Sequence, residues 1–220
     1  MPNLYAIGDI HGRRDMLDLM IQRVPFQPED EVVFIGDYID RGPDSKGVVD
    51  RVLEFKLRHP RTVCLRGNHE DMFLDFLHQQ GAYAPNVFLM NGGAATLDSY
   101  GLDPRDRPMR LSPLHVGFFQ GLRYRHEAGG FLFVHAGLRP GVPLEKQTPA
   151  DMLWIRHEFF DSDADFGRPV VFGHTPMREV LMREDRIGID TGCVYGGKLT
   201  CLRLPDREVI QVRGHGRWIF

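Results

Sequence analysis

The densest chemistry in the chain lies in Gly36-Asp37-Tyr38-Ile39-Asp40-Arg41-Gly42. This stretch follows the apolar run Val32-Val33-Phe34-Ile35, which has the composition of a buried strand. Two carboxylates and a guanidinium therefore emerge together at the end of a core element. An unpaired charge is too costly to keep there, so they must face ions, a ligand or one another. Read together, Asp37 is placed to be shared by two metal ions, Asp40 to orient a catalytic histidine, and Arg41 to grip a phosphate.

The same event recurs along the chain. An apolar run ends in a metal-capable residue beside a glycine at Ile7-Gly8-Asp9, Ile35-Gly36-Asp37, Arg66-Gly67-Asn68, Val134-His135-Ala136-Gly137 and Phe172-Gly173-His174. His11 adds a further donor two residues after Asp9. Carboxyl ends of strands are where open α/β sheets bind ligands. The donors are oxygen and imidazole nitrogen, with no thiolate, which disfavours a closed structural zinc site and suits Mn²⁺, Fe or catalytic Zn²⁺. Two ions can be built from them, the first held by Asp9, His11 and Asp37, the second by Asp37, Asn68, His135 and His174. Two carboxylates against two divalent ions leave about two positive charges, a setting that suits a phosphate ester. Ions about 3.5–4 Å apart can clamp both the attacking and the leaving oxygen of an in-line displacement.

The elements that must position these strand ends alternate. Residues 3–7, 31–35 and 62–66 read as strands. Helices are expected after Gly12 on the stripe Met16, Leu17, Leu19, Met20 and Val24, over 46–59, and again past Glu70 through Phe73, Leu74, Phe76 and Leu77. Strand–loop–helix repetition predicts βαβ units and a largely parallel sheet. Residues 81–121 break the rhythm and predict short helices in a cap over the site. From about 122 the pattern is β-rich, with short strands expected at 122–125, 131–134, 170–172, 180–182, 187–189, 198–204 and 208–212, enough for a second sheet, mixed or antiparallel.

A chain of 220 residues is expected to form one domain, 1–220. Its net charge of −3 and the lack of a block of like charges exclude a basic nucleic-acid or membrane-binding patch. No apolar run reaches membrane-spanning length and the N-terminus does not read as a signal peptide. Cys64, Cys193 and Cys201 form no CxxC pair and read as reduced, buried thiols, so a cytoplasmic location is expected.

Taken in order, G-D-I-H-G (8–12), G-D-Y-I-D-R-G (36–42), L-R-G-N-H-E (65–70), V-H-A-G (134–137) and F-G-H-T (172–175) resemble the phosphoprotein phosphatase family of calcineurin-like metallophosphoesterases. The short bacterial, lambda-phosphatase-like type is nearest. The resemblance implies an α/β fold in which two mixed sheets pack face to face with helices outside. It implies a serine/threonine phosphatase that uses two divalent ions, Mn²⁺ first, and a hydroxide bridging them. Phosphoproteins or small phosphoesters are the implied substrates. Asp9, His11, Asp37, Asn68, His135 and His174 match the metal ligands. His69 matches the general acid and Asp40 its carboxylate partner, while Arg41, Arg66 and, on a shorter motif, Arg156 match phosphate-binding arginines.

Two other functions fit parts of the same pattern. A diadenosine-tetraphosphate-type hydrolase shares the look of Asp190-Thr191-Gly192-Cys193 through Gly196-Gly197, but its family carries alanine at the place of Asp40 and aspartate at that of Glu70. A non-catalytic scaffold on the same fold would not be expected to keep His69 with every ligand. Glu70 and Asp71 read as first-turn helix acids, Trp154, Phe118 and Phe119 as core, and Asp190 as a strand end in the second sheet. His59, His78, His115, His126, His157 and His215 read as surface or internally satisfied.

Overall fold

Alternation along the strands builds two sheets that share one inner core. In this computed structural model, which describes residues 2–78, 85–105 and 109–214, β1 (Leu4–Ile7) sends Tyr5 and Ile7 to one face and Ala6 to the other. β2 (Glu31–Phe34) does the same with Val32 and Phe34 against Val33. Side chains of a strand alternate faces, so each strand feeds two cores.

β1, β2 and β3 (Thr62–Cys64) are parallel neighbours. β9 (Lys198–Leu204) lies antiparallel on the other side of β1 and carries β10 (Glu208–Arg213) at its edge. The first sheet therefore runs β10-β9-β1-β2-β3. The second joins β4 (Arg125–Ala128), β5 (Phe131–Val134), β6 (Val170–Phe172), β8 (Arg186–Gly188) and β7 (Leu181–Met182), in the order β4-β5-β6-β8-β7. β5, β6 and β8 are parallel, with antiparallel strands at both edges.

Ala6, Val33, Ile35 and Leu202 from the first sheet meet Phe131, Phe133, Val171 and Ile187 from the second in a buried layer between them. The outer face of the first sheet is covered by α1 (Arg14–Arg23), α2 (Ser45–Arg58) and α3 (Asn68–His78), through Met16, Val49, Phe55 and Phe73 among others. The outer face of the second is covered by α7 (Pro149–Trp154) and α8 (His157–Phe160), through Met152 and Phe159. Burying each such side chain contributes about 1.5–3 kcal/mol. The two mixed sheets with flanking helices are those expected from the sequence.

Between the two sheets in sequence, the described residues form α4 (Pro85–Phe88), a π-helical turn (Leu89–Gly93), α5 (Ala94–Tyr100) and α6 (Pro113–Gln120). Residues 81–84 and 106–108 of the stretch expected to form a cap, and His215, lie outside the described residues. The strand expected at 122–125 is displaced: β4 starts at Arg125, and Arg123 instead bridges Leu65. Arg66 N donates to Arg123 O and Arg123 N to Cys64 O. That pairing draws the segment to the end of β3, away from β5. None of the described helices is long and apolar enough to cross a membrane.

Candidate active site and metal centre

The loops after β1, β2, β3, β5 and β6 converge, and they do so in a strained conformation. Among the described residues, six that are not glycine have positive φ, and five of them are predicted site residues: His11 (48°), Asp37 (53°), Asp40 (72°), Arg41 (68°) and His174 (65°). Such conformations cost on the order of 1–3 kcal/mol each and persist only where neighbours over-determine them. Gly36, at φ 111°, starts the β2 loop where a Cβ would come within 2.7 Å of Gly67 N, so the two ligand loops touch backbone to backbone.

Glu70 locks this arrangement. Its buried carboxylate accepts hydrogen bonds from Gly67 N (2.9 Å) and Asp37 N (3.0 Å) on Oε2 and from Tyr38 N (2.8 Å) and Ile39 N (3.3 Å) on Oε1. Glu70 does sit in the first turn of α3, as the sequence suggested, but its work is to hold the Asp37 loop. Nothing in the periodicity signals this.

Asp37 lies at the centre. Its Oδ2 faces His11 Nε2 at 3.4 Å and its Oδ1 faces His135 Nε2 at 3.4 Å. Two groups of donor atoms share it, His11–Asp37–His69 and Asp37–His135–His174. Asn68 Oδ1 lies 3.0 Å from His135 Nε2 and 2.9 Å from His174 Nδ1. The second set expected from the sequence is thus assembled. In the first, His69 stands beside His11 and Asp37, while Asp9 lies at the other side, its Oδ2 accepting from His174 N at 3.0 Å.

The donor set fits divalent cations. His11 Nδ1–H donates to Ile39 O (2.9 Å) and His135 Nδ1–H to Ile35 O (3.1 Å). Both bonds leave the Nε2 lone pair turned inward, as in a ligating histidine whose other ring N–H is fixed by a backbone carbonyl. The His135 lone pair then points at two oxygens, Asn68 Oδ1 and Asp37 Oδ1, a repulsion that a bound cation would relieve. Asp9 Oδ1 and His174 Nε2 are buried with no partner among the described residues. Burial raises Asp9, pushes Asp37 up to about 7 and Asp190 up to about 6. It depresses His11 and His174, and His135 to about 4. Neutral imidazole is the ligating form, and a bound cation would favour the carboxylates in their ionised form.

His69 and Asp40 form a separate buried pair, Nδ1 to Oδ2 at 2.6 Å. This leaves His69 Nε2 on the side of Asp37, 4.0 Å from Oδ2. Burial lifts the Asp40 carboxyl and depresses the imidazole. The second oxygen of Asp40 is held by Thr96 of α5.

The arginines separate. Arg41 Nη1 lies 2.6 Å from His11 Nε2, so its guanidinium occupies the cation side of that lone pair. Arg156 is exposed at the end of α7, and its charge lowers Asp37 and Asp190 and disfavours the cation of His135. Arg66 is engaged differently: Nη1 donates to Asp71 and to Tyr124 Oη, both at 3.1 Å, and Nη2 to Phe119 O at 3.4 Å. Its Nε is buried without a partner among the described residues.

Trp154 packs edge-on against His174, 6.0 Å between ring centroids, so it lines the site as well as the core. Phe118 and Phe119 are core. Asp190, beyond β8, is drawn to the cluster, where it caps Gly192 N at 3.0 Å and raises Asp9. Of the remaining histidines, His115 is buried between Tyr100 and Asp50, and His126 pairs with Glu31. The three cysteines are free and buried.

A fold of two mixed sheets with a shared acid–imidazole cluster at converging strand ends defines a metallophosphoesterase. The chain matches the Calcineurin-like phosphoesterase family over residues 2–216 and belongs to it. It is a hydrolase of that class. It is 32% identical to Serine/threonine-protein phosphatase 1 of Salmonella typhimurium, over 92% of each chain. It is 27% identical to the asymmetrical bis(5'-nucleosyl)-tetraphosphatase PrpE of Anoxybacillus flavithermus, over 94% of this chain and 92% of that one. A crystal structure provisionally assigned as a diadenosine tetraphosphatase shares the fold, with TM-score 0.74 and 24% identity, covering 98% of this chain and 97% of that one.

Proposed function

We propose that the chain is a metal-dependent phosphomonoesterase acting on phosphoserine and phosphothreonine in proteins. The observation that supports this most directly is the buried His69–Asp40 pair at 2.6 Å, with His69 Nε2 turned toward the Asp37 cluster. A serine alkoxide is a poor leaving group and needs a proton as the P–O bond breaks. A polyphosphate leaves as a stable anion and needs none. A dedicated, oriented proton donor therefore favours the alkyl ester.

Two divalent cations, Mn²⁺ or alternatively Fe or Zn²⁺, would supply Lewis-acid stabilisation of the phosphoryl group and lower the pKa of water. Asp9, His11 and Asp37 would hold one, and Asp37, Asn68, His135 and His174 the other. Arg41 and Arg156 bind the phosphoryl oxygens through planar, charge-assisted bonds. Arg66 is the third arginine of the set, offering the Nε–H that Asp71, Tyr124 and Phe119 leave unused. Water adds to phosphorus as the ester bond breaks; His69, as the imidazolium that the paired Asp40 carboxylate favours against burial, gives its Nε2 proton to the departing oxygen, and the proton given up by the added water restores the imidazolium while Asp40 keeps the ring oriented. The whole chain, 1–220, works as one domain, with the short helices between 85 and 121 covering the site.

The second reading is a dinucleoside-tetraphosphate hydrolase, favoured by the named activity of the PrpE relative. A turnover panel with Mn²⁺ separates the two: phosphoserine and phosphothreonine peptides, p-nitrophenyl phosphate and a dinucleoside tetraphosphate. The first reading expects His69→Asn to lose on the order of 10²–10⁴ in turnover on the peptides, and visibly less on p-nitrophenyl phosphate. Faster cleavage of the tetraphosphate than of every peptide by the unaltered enzyme would overturn it.

A further inference from the structure

The His69–Asp40 pair is only the inner half of a longer chain of hydrogen bonds. Thr96 and Ser45 are both fully buried. Thr96 Oγ1 donates to Asp40 Oδ1 at 2.6 Å and accepts from Asp40 N at 2.9 Å. Ser45 Oγ also accepts from Asp40 N, at 3.0 Å, and lies 2.9 Å from Thr96 Oγ1. A threonine hydroxyl has one proton, and here it goes to the Asp40 carboxylate. The contact between the two hydroxyls must therefore be Ser45 O–H donating to Thr96 Oγ1. Direction then runs one way, from Ser45 to Thr96 to Asp40 Oδ1, while Oδ2 accepts from His69 Nδ1–H.

The same bonds account for the backbone of Asp40. Its φ of 72° is one that aspartate adopts only at a cost. Two hydroxyls converging on its N–H, and one on its carboxylate, hold it there. The segment that brings Thr96 also holds the next residue: Gly92 O, in the turn before α5, accepts from Arg41 N at 3.1 Å. A Cβ on Gly92 would lie 2.7 Å from Arg41 Cγ, so turn and arginine are in contact. α5 is itself fixed to α2, because Lys46 N donates to Ser99 Oγ at 2.9 Å. Tyr100 Oη and Asp50 Oδ1 flank the buried His115 of α6, at 2.9 Å each.

We propose that Thr96 is a positioning residue for proton delivery. Through Oδ1 it holds the Asp40 carboxylate at the angle at which Oδ2 keeps His69 Nε2 directed to the leaving oxygen. The inference rests on the reading of His69 as proton donor and adds to it a helix outside the strand-end motifs. A carboxylate held on one oxygen alone can rotate about its Cβ–Cγ bond, and a mispositioned donor loses much of its value even when it is present.

The test compares Thr96→Val and Thr96→Ser with the unaltered enzyme and His69→Asn, all loaded with Mn²⁺, on a phosphoserine peptide and on p-nitrophenyl phosphate. Valine keeps the shape and removes the donor; serine keeps the donor and removes a methyl. Thr96→Val is expected to lower kcat on the peptide about tenfold or more, within the range a general acid contributes, and to change kcat on p-nitrophenyl phosphate by less than about threefold, with KM and metal content unchanged. Thr96→Ser is expected to restore most of the peptide activity. Equal losses on the two esters in Thr96→Val, or no rescue by serine, would overturn the proposal. If Thr96→Val fails to fold, Ser45→Ala is expected to show a milder loss confined to the peptide, and an even loss there overturns it equally. Leaving-group selectivity in His69→Asn without any in Thr96→Val removes Thr96 alone. Its absence in His69→Asn removes the proton-donor reading and this inference with it.

Discussion

Replacing Glu70 with glutamine tests the reasoning that links the fold to the site. The side chain keeps its size, but one carboxylate oxygen becomes an amide NH₂. Glu70 accepts two backbone N–H groups on each oxygen, from Gly67 and Asp37 on one and from Tyr38 and Ile39 on the other. Whichever way the amide turns, two of these buried N–H groups then face another donor. An unsatisfied buried donor costs about 1–3 kcal/mol, so Glu70→Gln should lose about 2–6 kcal/mol. For a chain of this size each kcal/mol moves Tm by about 2–4 °C, which predicts a fall of at least about 4 °C. Thermal unfolding in EDTA measures this without any contribution from bound metal. Glu145→Gln, at an exposed position, serves as the control and should stay within about 0.5 kcal/mol. In either orientation the released donors belong to the backbone that frames Asp37, Gly67 and Asp37 in one and Tyr38 and Ile39 in the other, so the variant should also bind Mn²⁺ more weakly. A Tm within about 1 °C of the unaltered protein would refute the claim that this carboxylate holds the loop.

The other predictions concern ligands and phosphate. Asp37→Asn should lose both ions together, because Asp37 belongs to both donor groups; elemental analysis showing one fully retained ion would contradict the sharing. Chelation should abolish turnover, and adding Mn²⁺ at about 100 times its Kd should restore stability by about 2.7 kcal/mol per site, read as a rise in Tm. Arg41→Ala and Arg156→Ala should weaken inhibition by inorganic phosphate or vanadate by more than a surface ion pair is worth, about 1 kcal/mol. Arg66→Ala should weaken it less, because Asp71, Tyr124 and Phe119 already engage that guanidinium.

Much of the site is legible in the sequence because its donors are tied to local features. A ligand that follows a strand is announced by an apolar run, a glycine and a polar residue, and each of these is a property of a few consecutive residues. Short apolar runs likewise give the strands of both sheets, since a strand buried on two faces must be apolar throughout. The boundary near 122 was misplaced for the converse reason. Leu122–Arg125 has strand composition, but whether its backbone pairs with β5 or with the end of β3 depends on which partner lies alongside.

Residue order alone sets which side chains stand at the strand ends and hence the class of chemistry. Which atoms meet is settled by packing. The two oxygens of Asp37 divide between His11 and His135, residues on different sheets. Glu70 reaches back to the N–H groups of Asp37, Tyr38 and Ile39, and Thr96 reaches Asp40 across 56 positions. Arg66 and Arg156, the second a candidate on a shorter motif, part company because one guanidinium finds a carboxylate and a phenol beside it while the charge of the other acts on the Asp37 cluster. Hydrophobic periodicity specifies which face of a helix is buried but not which polar atom it sets opposite a distant loop. That choice is made when α3 and α5 pack against the Asp37 loop, and burial then makes each pairing obligatory, because an unpaired polar group there has no water to turn to.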